Sequence, residues 1–432
     1  YIATDKAGGP YNITFKASNT IEVINVLLGE VWLASGQSNM EFFIGKTSSS
    51  SYTGVVNYDA VMRDADHTDI RTIDIPNKTA DEPQADFKGT WKLCTANTID
   101  TFSAVAYFFA KEINKATGFP IGIINATWGG TPAESWTKRT VLEADSNFLP
   151  ILNRYKTALE VFPVENEKHK LAAEKWKADT SVAKGAAPRP PLGPTHNHSP
   201  SKLYNAMIAP VVPFTIKGFL WYQGESNADR AVQYRKLFPA MIASWRSDWK
   251  DKSLPFYFVQ ISPHRSQNPE IREAQLFTYR TVANTGIVVT IDNGDSLDIH
   301  PRNKELVGTR LSFWALKNQY NQTGLIPTGP LYKSMKIEGN KIRIKFDFDD
   351  ALSAKENALN EFAIAGADEK FLPAHAQIDG NTVIVWSDAI KEPKAVRFGW
   401  RNIPKAEVYN AAGIPASPFR TDNWKLVTEG KN

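Results

Sequence analysis

Gly29-Glu-Val-Trp-Leu-Ala-Ser-Gly-Gln-Ser-Asn-Met-Glu-Phe-Phe43 is the stretch around which the chain is organised. Its apolar run, 31–34, is typical of a buried strand, and the small residues at 35 and 36 end that strand in a turn. Ser38 follows directly after the turn. In an open α/β sheet the ligand crevice lies outside the carboxyl ends of the strands, so Ser38 is a candidate nucleophile whose own N–H can help to hold an oxyanion. The alternative is that Ser38 only caps a helix.

Four further apolar runs predict buried strands of the same sheet, at 121–126, 217–222, 254–261 and 286–291. Apolar residues at helical spacing lie between some of them, at 102–116 and 231–248. Strands that alternate with helices are typical of a parallel α/β sheet. The polar stretch 44–90 shows neither pattern and is predicted to be rich in loops.

Two of these strands end in turns that contain glycine. The first turn is Thr127-Trp-Gly-Gly-Thr-Pro-Ala-Glu-Ser-Trp136, in which Gly129 and Gly130 can present a backbone N–H to a ligand with no side chain in the way. An ordinary tight turn is the alternative. The second turn is Gln223-Gly-Glu-Ser-Asn-Ala228. Both are therefore expected at the sheet edge that carries Ser38.

The fifth strand ends in Asp292-Asn-Gly-Asp-Ser-Leu-Asp-Ile-His-Pro301, and a helix follows. This order places His300 at the same edge as Ser38. Histidine is the natural base near neutral pH, because its unperturbed pKa is about 6.5. Asp298, two positions earlier, could orient the imidazole. A surface histidine is the alternative, but three other strand ends already carry polar or glycine-rich turns.

The two ends of the chain differ from its centre, because apolar and polar residues alternate there. Residues 1–28 contain two such strands, which are too few to stand alone, so we predict the remnant of a β-domain. Residues 331–432 contain several, including a hairpin across the Gly-Asn pair at 339–340, and are predicted to form a second small β-domain. The segment between them, 29–330, is the predicted catalytic domain, with a helical insertion at about 142–200.

Composition excludes several classes of function. The 432 residues carry a net charge of +4 without a basic stripe, which argues against binding to nucleic acid. One cysteine, Cys94, and seven scattered histidines provide no zinc-ligand spacing, and no phosphate-binding glycine motif occurs, so we expect neither a metal nor a cofactor. No apolar run approaches the roughly 18 residues of a membrane span. The chain starts at Tyr1 without a signal-like segment, and we expect it to be processed or trimmed.

The loops at the predicted sheet edge form a set: Gly36-Gln-Ser-Asn-Met40, Trp128-Gly-Gly-Thr-Pro-Ala-Glu-Ser-Trp136, Trp221-Tyr-Gln-Gly-Glu-Ser-Asn227 and Asp298-Ile-His-Pro301. Together they resemble the sialate O-acetylesterase family of the SGNH hydrolase superfamily. The resemblance covers nearly the whole chain from about Gly29. It implies a three-layer α/β/α sandwich with a parallel sheet of the SGNH, flavodoxin-like type, and the deacetylation of sugar esters.

The resemblance also implies a role for individual residues of these loops. It makes Ser38 the nucleophile and His300 the general base. The oxyanion would be held by backbone N–H groups of Ser38 and of one glycine, and by one side-chain amide; the candidates are Gly129, Gly130, Gln223 and, less favoured, Asn227.

One departure from the family pattern concerns the acid that orients the histidine. Members of the superfamily commonly carry it three residues before the histidine, where this chain has Leu297. Asp298 lies only two residues before His300 and is our candidate. Asp292, Asp295 and a backbone carbonyl are the alternatives, and the last would leave a Ser–His dyad.

The implied function is that of a serine hydrolase acting on O-acetylated sugars, with O-acetylated sialic acid as the first choice of substrate. An esterase of the same superfamily acting on acetylated xylan or another plant polysaccharide is the first alternative, and a non-catalytic carbohydrate-binding protein is the second. Candidate substrate contacts are Gln37, Trp128, Glu225 and Arg272. Packing in the core is the alternative for Trp128, and bracing of the loops is the alternative for Glu225 and Arg272. Many relatives are exported bacterial proteins, which implies a periplasmic or secreted location. A glycan is the only partner that the resemblance implies.

Overall fold

A computed structural model describes residues 6–47, 52–181, 185–212, 214–355 and 358–431. Its strands are β1 (Gly8–Lys16), β2 (Thr20–Leu28), β3 (Glu30–Gly36), β4 (His67–Asp74), β5 (Lys92–Cys94), β6 (Ile121–Thr127), β7 (Gly218–Tyr222), β8 (Phe256–Val259), β9 (Thr285–Val288), β10 (Leu331–Glu338), β11 (Lys341–Asp347), β12 (Ser353–Ala354), β13 (Phe362–Ala365), β14 (Leu372–Pro373), β15 (His375–Asp379), β16 (Thr382–Trp386), β17 (Ala395–Phe398), β18 (Val408–Tyr409) and β19 (Phe419–Arg420).

The α-helices are α1 (Ser38–Glu41), α2 (Tyr58–Arg63), α3 (Ala104–Thr117), α4 (Arg139–Ala144), α5 (Leu149–Ala178), α6 (Ala231–Asp248), α7 (Pro269–Thr281) and α8 (Lys304–Asn318). Short helical turns of other types lie at Ile99–Thr101, Ala133–Trp136, Tyr204–Ile208, Ala209–Val211 and Glu225–Arg230. Helix α3 shows how the sequence sets its ends. Ser103 Oγ accepts from Ala106 N–H at the N-terminus, and Gly118 adopts the left-handed conformation at the C-terminus.

A seven-stranded sheet forms the centre of the molecule, in the order β5-β4-β6-β3-β7-β8-β9. All its neighbouring strands pair in parallel except β5, which is antiparallel to β4. The prediction of an α/β fold with a largely parallel sheet is therefore confirmed. Strand β3 lies between β6 and β7, so the chain fills the sheet on both sides of β3. Such a reversal of strand order opens a crevice at the carboxyl ends of the strands.

The register of the three middle strands brings their carboxyl ends together. Gly36, the last residue of β3, pairs with Thr127 at the end of β6 and with Tyr222 at the end of β7. The three segments that follow these strands therefore leave the sheet side by side. This is why residues that are distant in sequence can form one site.

Helices cover both faces of the central sheet. Trp32 of β3 packs on Phe109 of α3, with 5.0 Å between the ring centroids. Trp32 pairs with Gly218, so the next residue of β7, Phe219, points to the opposite face, where it packs on Trp245 of α6 at 5.6 Å. Helix α8 packs beside α3, and α7 packs beside α6.

The loop prediction for the stretch 44–90 is wrong in part. The structure places helix α2 and strand β4 there, and β4 pairs with β6 near the edge of the central sheet. The sequence pattern is weak because the buried residues of β4, Ile70, Thr72 and Ile73, do not alternate with exposed ones. Such an irregular strand is hard to distinguish from a loop by period alone.

Helices occupy much of the segment 142–200. Only Ile151 and Tyr155 of α5 are buried, so most of this helix lies on the surface. The chain then returns along α5, where Trp176 Nε1 donates to the carbonyl of Gly185 at 2.6 Å. This return path carries the chain back to the carboxyl edge of the sheet.

The predicted strands at both ends of the chain are present. Strands β1 and β2 form an antiparallel pair whose apolar side chains are largely exposed. Strands β10 and β11 form the predicted hairpin and belong to a four-stranded sheet, and β13 and β17 belong to another. Gln260, just after β8, donates to Ser417 Oγ at 2.9 Å, which ties the C-terminal region to the central sheet.

Candidate active site

Ser38 and His300 are in hydrogen-bonding contact at the carboxyl edge of the sheet. Ser38 Oγ lies 2.8 Å from His300 Nε2. Ser38 is the first residue of α1, which begins just after β3, and His300 lies in the segment between β9 and α8. The structure thus brings together the two residues that the sequence places after separate strands. Their geometry is that of a nucleophile beside its general base.

Asp298 lies near His300 but does not hydrogen-bond its ring. Asp298 Oδ1 is 3.6 Å from His300 Nδ1 and accepts instead from the His300 backbone N–H at 2.9 Å. Its side chain is 48% exposed. Asp292 accepts two hydrogen bonds from Arg310, and Asp295 accepts from backbone N–H groups of its own loop. Neither of these two carboxylates therefore faces the imidazole.

The surroundings of His300 favour its neutral form. Burial lowers the pKa of His300 to about 4; the positive charge of Lys304 acts in the same direction, the carboxylate of Asp298 opposes it, and His264 makes a smaller contribution that also lowers the pKa. A neutral imidazole can take a proton from serine at pH 7. For Nε2 to accept, the ring proton must lie on Nδ1, the side that faces Asp298.

Gly129 and Gly130 follow β6 and border the site. Gly129 N–H donates to Glu41 Oε2 at 2.5 Å, and the Tyr52 hydroxyl hydrogen-bonds the same carboxyl group. A Cβ on Gly129 would lie 2.6 Å from Tyr52 Oη, and Gly130 has φ of 74°, so both positions require glycine. Among the described residues the N–H of Gly130 has no hydrogen-bond partner, and it is the glycine N–H available to a ligand.

Gln223 and Asn227 lie beneath the site and brace its loops. Gln223 Nε2 donates to the carbonyl of Thr131 at 3.2 Å and to Asn227 Oδ1 at 2.7 Å. Asn227 Nδ2 donates to Glu134 Oε2 at 2.8 Å, and Asn227 Oδ1 also accepts from Ala133 N–H. Both amide nitrogens are therefore engaged within the protein in this structure.

A cavity of about 760 Å³ opens over Ser38 and His300. Of the predicted substrate contacts, Gln37 and Glu225 line it. Trp128 and Arg272 do not line this cavity. The Arg272 guanidinium is fully buried and donates to the backbone carbonyls of Arg401 and Asn402. Burial lowers the pKa of Arg272 to about 9.

Three arginines that sequence reasoning did not single out also line the cavity. Arg154 Nη2 and Arg230 Nη2 both contact Glu134 Oε1, at 3.1 and 3.3 Å. Two guanidinium groups thus share one carboxylate, although Arg230 also pairs with the exposed Asp229. Arg189, on the return path along α5, has no charged partner in the part of the chain that the structure describes. Nothing in the local sequence pattern marks these arginines, because Arg154 and Arg189 reach the cavity through α5 and its return segment, whereas Arg230 lies in the helical turn after β7.

A buried pair beside Ser38 and His300, formed by Asn39 and Lys304, was also missed. Lys304 is fully buried, and its Nζ donates to Asn39 Oδ1. Asn39 lies within the Gly-Gln-Ser-Asn-Met motif, a signal that could have identified it. Lys304, at the start of α8, carries no such signal, because a lysine at a helix terminus is usually exposed.

No group of three or more His, Cys, Asp or Glu side chains that could hold a metal ion occurs in the described ranges. Within the same ranges, none of the helices combines the length and apolar character needed to cross a bilayer. Burial raises the pKa of Cys94 to about 12, so this thiol is a poor nucleophile at neutral pH.

Replacing Asp298 by asparagine should lower kcat/KM by less than about tenfold, whereas losing a buried triad aspartate costs roughly 10⁴-fold. The reason is that Asp298 is half exposed and does not bond the ring, while asparagine can still accept from the His300 backbone N–H. The measurement is p-nitrophenyl acetate hydrolysis, with Asp295→Asn as the matched control from the same loop. A loss near 10⁴-fold would show that Asp298 closes on the ring during turnover.

Comparison with known proteins identifies the class to which this fold and site belong. Residues 28–171 and 192–316 match the family model described as carbohydrate esterase, sialic acid-specific acetylesterase. The matched segments contain all four loops of the site. The protein is therefore an esterase of the carbohydrate acetylesterase class. The chain belongs to this family of sialic acid-specific acetylesterases.

Individual relatives agree with the family match. The chain is 29% identical to sialate O-acetylesterase of Rattus norvegicus and 30% identical to that of Mus musculus, in each case over 96% of this chain and 82% of the relative. It is also similar to the crystal structure of a carbohydrate acetylesterase from Xanthomonas citri. That similarity covers 97% of this chain and 86% of the other, with 36% identity and a TM-score of 0.80.

Proposed function

We propose that the protein is a serine esterase that removes acetyl groups from O-acetylated sugars, with O-acetylated sialic acid as its substrate. The observation that carries the proposal is the 2.8 Å contact between Ser38 Oγ and His300 Nε2 beside a cavity large enough for a sugar. A binding protein has no need for this pair. The family match supplies the acetyl ester as the bond to be cleaved.

The proposal includes an SGNH-type fold. The five strands β6, β3, β7, β8 and β9 are adjacent in that order, which corresponds to 2-1-3-4-5 when they are numbered along the chain. This is the flavodoxin-like order, with ligands at the switch point. We also propose a division into 1–28, 29–330 and 331–432, and export to the periplasm or medium, which fractionation of the source cells would test.

In the first half of the proposed reaction, His300 Nε2 takes the proton from Ser38 Oγ as this oxygen bonds to the acetyl carbonyl carbon. The carbonyl oxygen becomes an oxyanion. When the tetrahedral intermediate collapses, the bond between carbon and the sugar oxygen breaks, and this oxygen takes the proton from His300. Deacetylated sugar leaves, and the acetyl group remains on Ser38.

In the second half, water replaces the sugar. His300 takes a proton from the water while its oxygen bonds to the acetyl carbon. Collapse then breaks the bond to Ser38 Oγ, which recovers its proton from His300, and acetate departs. No step requires a metal or a redox partner.

The backbone N–H groups of Ser38 and Gly130 are the oxyanion donors in this proposal. Ser38 is the first residue of α1, so its N–H has no carbonyl partner one turn earlier. The N–H of Gly130 has no partner among the described residues. Gln37 supplies the side-chain amide in this proposal, since it lines the cavity and its Oε1 accepts from Ser226 N–H at 3.3 Å, which leaves Nε2 to donate. Gln223 could donate to the oxyanion only if its Nε2 gave up its hydrogen bonds to Thr131 and Asn227.

The Arg189 guanidinium in the cavity wall supports an acidic sugar, although the wall also carries the carboxyl groups of Glu225 and Asp229. Arg154 and Arg230 share Glu134, and Arg189 adds a guanidinium without a counter-ion among the described residues. Arginine matches the geometry of a carboxylate with two parallel hydrogen bonds. A sialic acid carries such a carboxylate, whereas the xylose units of acetylated xylan do not.

Replacing Arg189 by glutamine should raise KM for O-acetylated sialic acid by about tenfold or more, since a hydrogen bond to a charged group is worth about 1.5 to 3 kcal/mol. Hydrolysis of p-nitrophenyl acetate, which has no carboxylate, should change little. Arg139→Gln is the matched control, because Arg139 is exposed on α4 and pairs with Glu143. An unchanged KM for the sialic acid ester would remove Arg189 from the substrate site.

A neutral acetylated polysaccharide is the second candidate substrate. The Xanthomonas citri relative, 36% identical, is named as an acetylesterase of carbohydrates in general, a class that includes neutral polysaccharides. Acetate release from O-acetylated sialic acid, acetylated xylan and p-nitrophenyl acetate, measured side by side, separates the two. Faster release from sialic acid supports the first proposal, faster release from xylan supports the second, and no release from any of them would contradict both.

A further inference from the structure

A buried ammonium group lies directly behind the nucleophile. Lys304 is fully buried, and its Nζ donates to Asn39 Oδ1 at 2.5 Å. The same Nζ lies 4.6 Å from the ring centroid of Phe42 and 5.4 Å from that of Tyr222. Burial lowers the pKa of Lys304 to about 7, and the negative charge of Glu225 opposes this shift. A buried lysine is costly, so the hydrogen bond from its ammonium group to Asn39 calls for an explanation.

That hydrogen bond determines how the Asn39 amide is oriented. The ammonium form of Lys304 can only donate, so the atom facing it is the amide oxygen. The nitrogen, Nδ2, then donates to Glu225 Oε1 at 2.7 Å and to the backbone carbonyl of Ile299 at 3.0 Å. The Ile299 backbone carbonyl can only accept, so it agrees with this orientation and with no other, and an ionised Glu225 agrees with it too. Lys304, Glu225 and Ile299 thus together specify one orientation of the Asn39 side-chain amide.

The orientation matters because of where the partners lie in the chain. Asn39 is the residue after Ser38, and Ile299 is the residue before His300. One side-chain amide therefore ties the turn that carries the nucleophile to the loop that carries the base. Across this tie, Ser38 Oγ and His300 Nε2 are held at 2.8 Å.

We propose that Asn39 is the positioning residue of the Ser38–His300 pair, and that Lys304 and Glu225 hold its amide in the orientation that links the two catalytic loops. The inference rests on the proposed serine esterase mechanism. It assigns the orienting role to a buried amide because Asp298, the nearest acid, is half exposed and 3.6 Å from the ring nitrogen. Asn39 is 1% exposed.

Lys304 should also act on His300 through its charge. The groups that face His300 are Lys304, Asp298 and His264, with Glu225 beyond Asn39 and the Tyr52 ring 5.2 Å away. Replacing Lys304 by methionine removes a positive charge and leaves Glu225 without that cation. Both changes favour the protonated imidazole, so the pKa of His300 rises and the acid limb of kcat/KM moves to higher pH.

The first experiment compares Asn39→Leu with the wild type in acetate release. Without the Asn39 amide, Ser38 and His300 are no longer held in register. A misplacement of reacting groups by about 1 Å costs about a hundredfold, so kcat should fall by that factor while KM changes less than twofold. Asn410→Leu is the matched control: Asn410 is also buried and its amide nitrogen also donates two hydrogen bonds, in this case to two backbone carbonyls, but it lies in the C-terminal region. A folded Asn39→Leu variant that keeps more than half of kcat overturns the proposal.

The second experiment follows the His300 imidazole by NMR titration in the wild type and in Lys304→Met, and therefore does not need activity. The His300 ring should titrate near pH 4 in the wild type and at higher pH in the variant. The acid limb of kcat/KM should move to higher pH in the same variant. Lys217→Met is the control, since Lys217 pairs with Glu30 at the amino ends of the strands. If the pKa of His300 is the same in Lys304→Met as in the wild type, the proposed role of Lys304 is refuted. A wild-type protein that releases no acetate refutes the proposed function instead, and the titration still decides for or against Lys304.

Discussion

Ser38→Ala should lower kcat for acetate release by roughly 10⁶-fold, the loss seen when the nucleophile of a serine hydrolase is removed. Without Oγ no acyl-enzyme can form, and His300 has no proton to accept. Residual turnover would come from binding and from the oxyanion donors alone. The measurement is acetate release from the preferred sugar ester, with protein folding verified by circular dichroism.

Ser226→Ala is the matched control for this variant. Ser226 also lines the cavity, but its hydroxyl donates to the carbonyl of Gly130 at 2.8 Å and is not in contact with His300. It should lose activity only a few-fold. A serine-reactive phosphonate should label Ser38 in the wild type and not in Ser38→Ala. Retention of substantial activity by Ser38→Ala would identify another nucleophile and reject the mechanism.

His300→Ala should be nearly as damaging as Ser38→Ala, and the double variant should be no worse than either single variant. The two side chains act as one unit, so removing either abolishes the same chemistry. The measurement is kcat for all three variants with one substrate. His198→Ala serves as control, because His198 lines the cavity without contacting Ser38. Additive losses in the double variant would show that the two residues do not act together.

Much of the fold could be predicted because its strands are buried on both faces. Continuous apolar runs such as 121–126 leave little ambiguity when glycine or polar turns bound them. The same logic explains why Ser38 and His300 could be expected at one edge: both follow strands, and parallel strands end together. Strand β4 was missed because its burial pattern follows no simple period.

The remaining parts of the site depend on contacts that no local pattern encodes. Arg272 was proposed as a substrate contact, yet its guanidinium is buried against carbonyls of the C-terminal region. Gln223 lies in the expected loop, but its amide is engaged with Thr131 and Asn227. The role of Lys304 is visible only in the folded chain, where its ammonium group at the start of α8 donates to Asn39 in α1. Side-chain direction at the end of a strand depends on such packing and cannot be inferred from spacing.

The surface segment formed by α5 and the chain that returns along it bears on how a change of substrate specificity can arise. The bond-breaking residues sit on short turns anchored in the sheet, whereas Arg154 and Arg189 belong to a surface excursion with few buried residues. The two parts are physically separable. Under the proposed mechanism, exchange of this segment alone would change the preferred sugar and leave Ser38 and His300 in place, so one scaffold could serve acidic and neutral glycans.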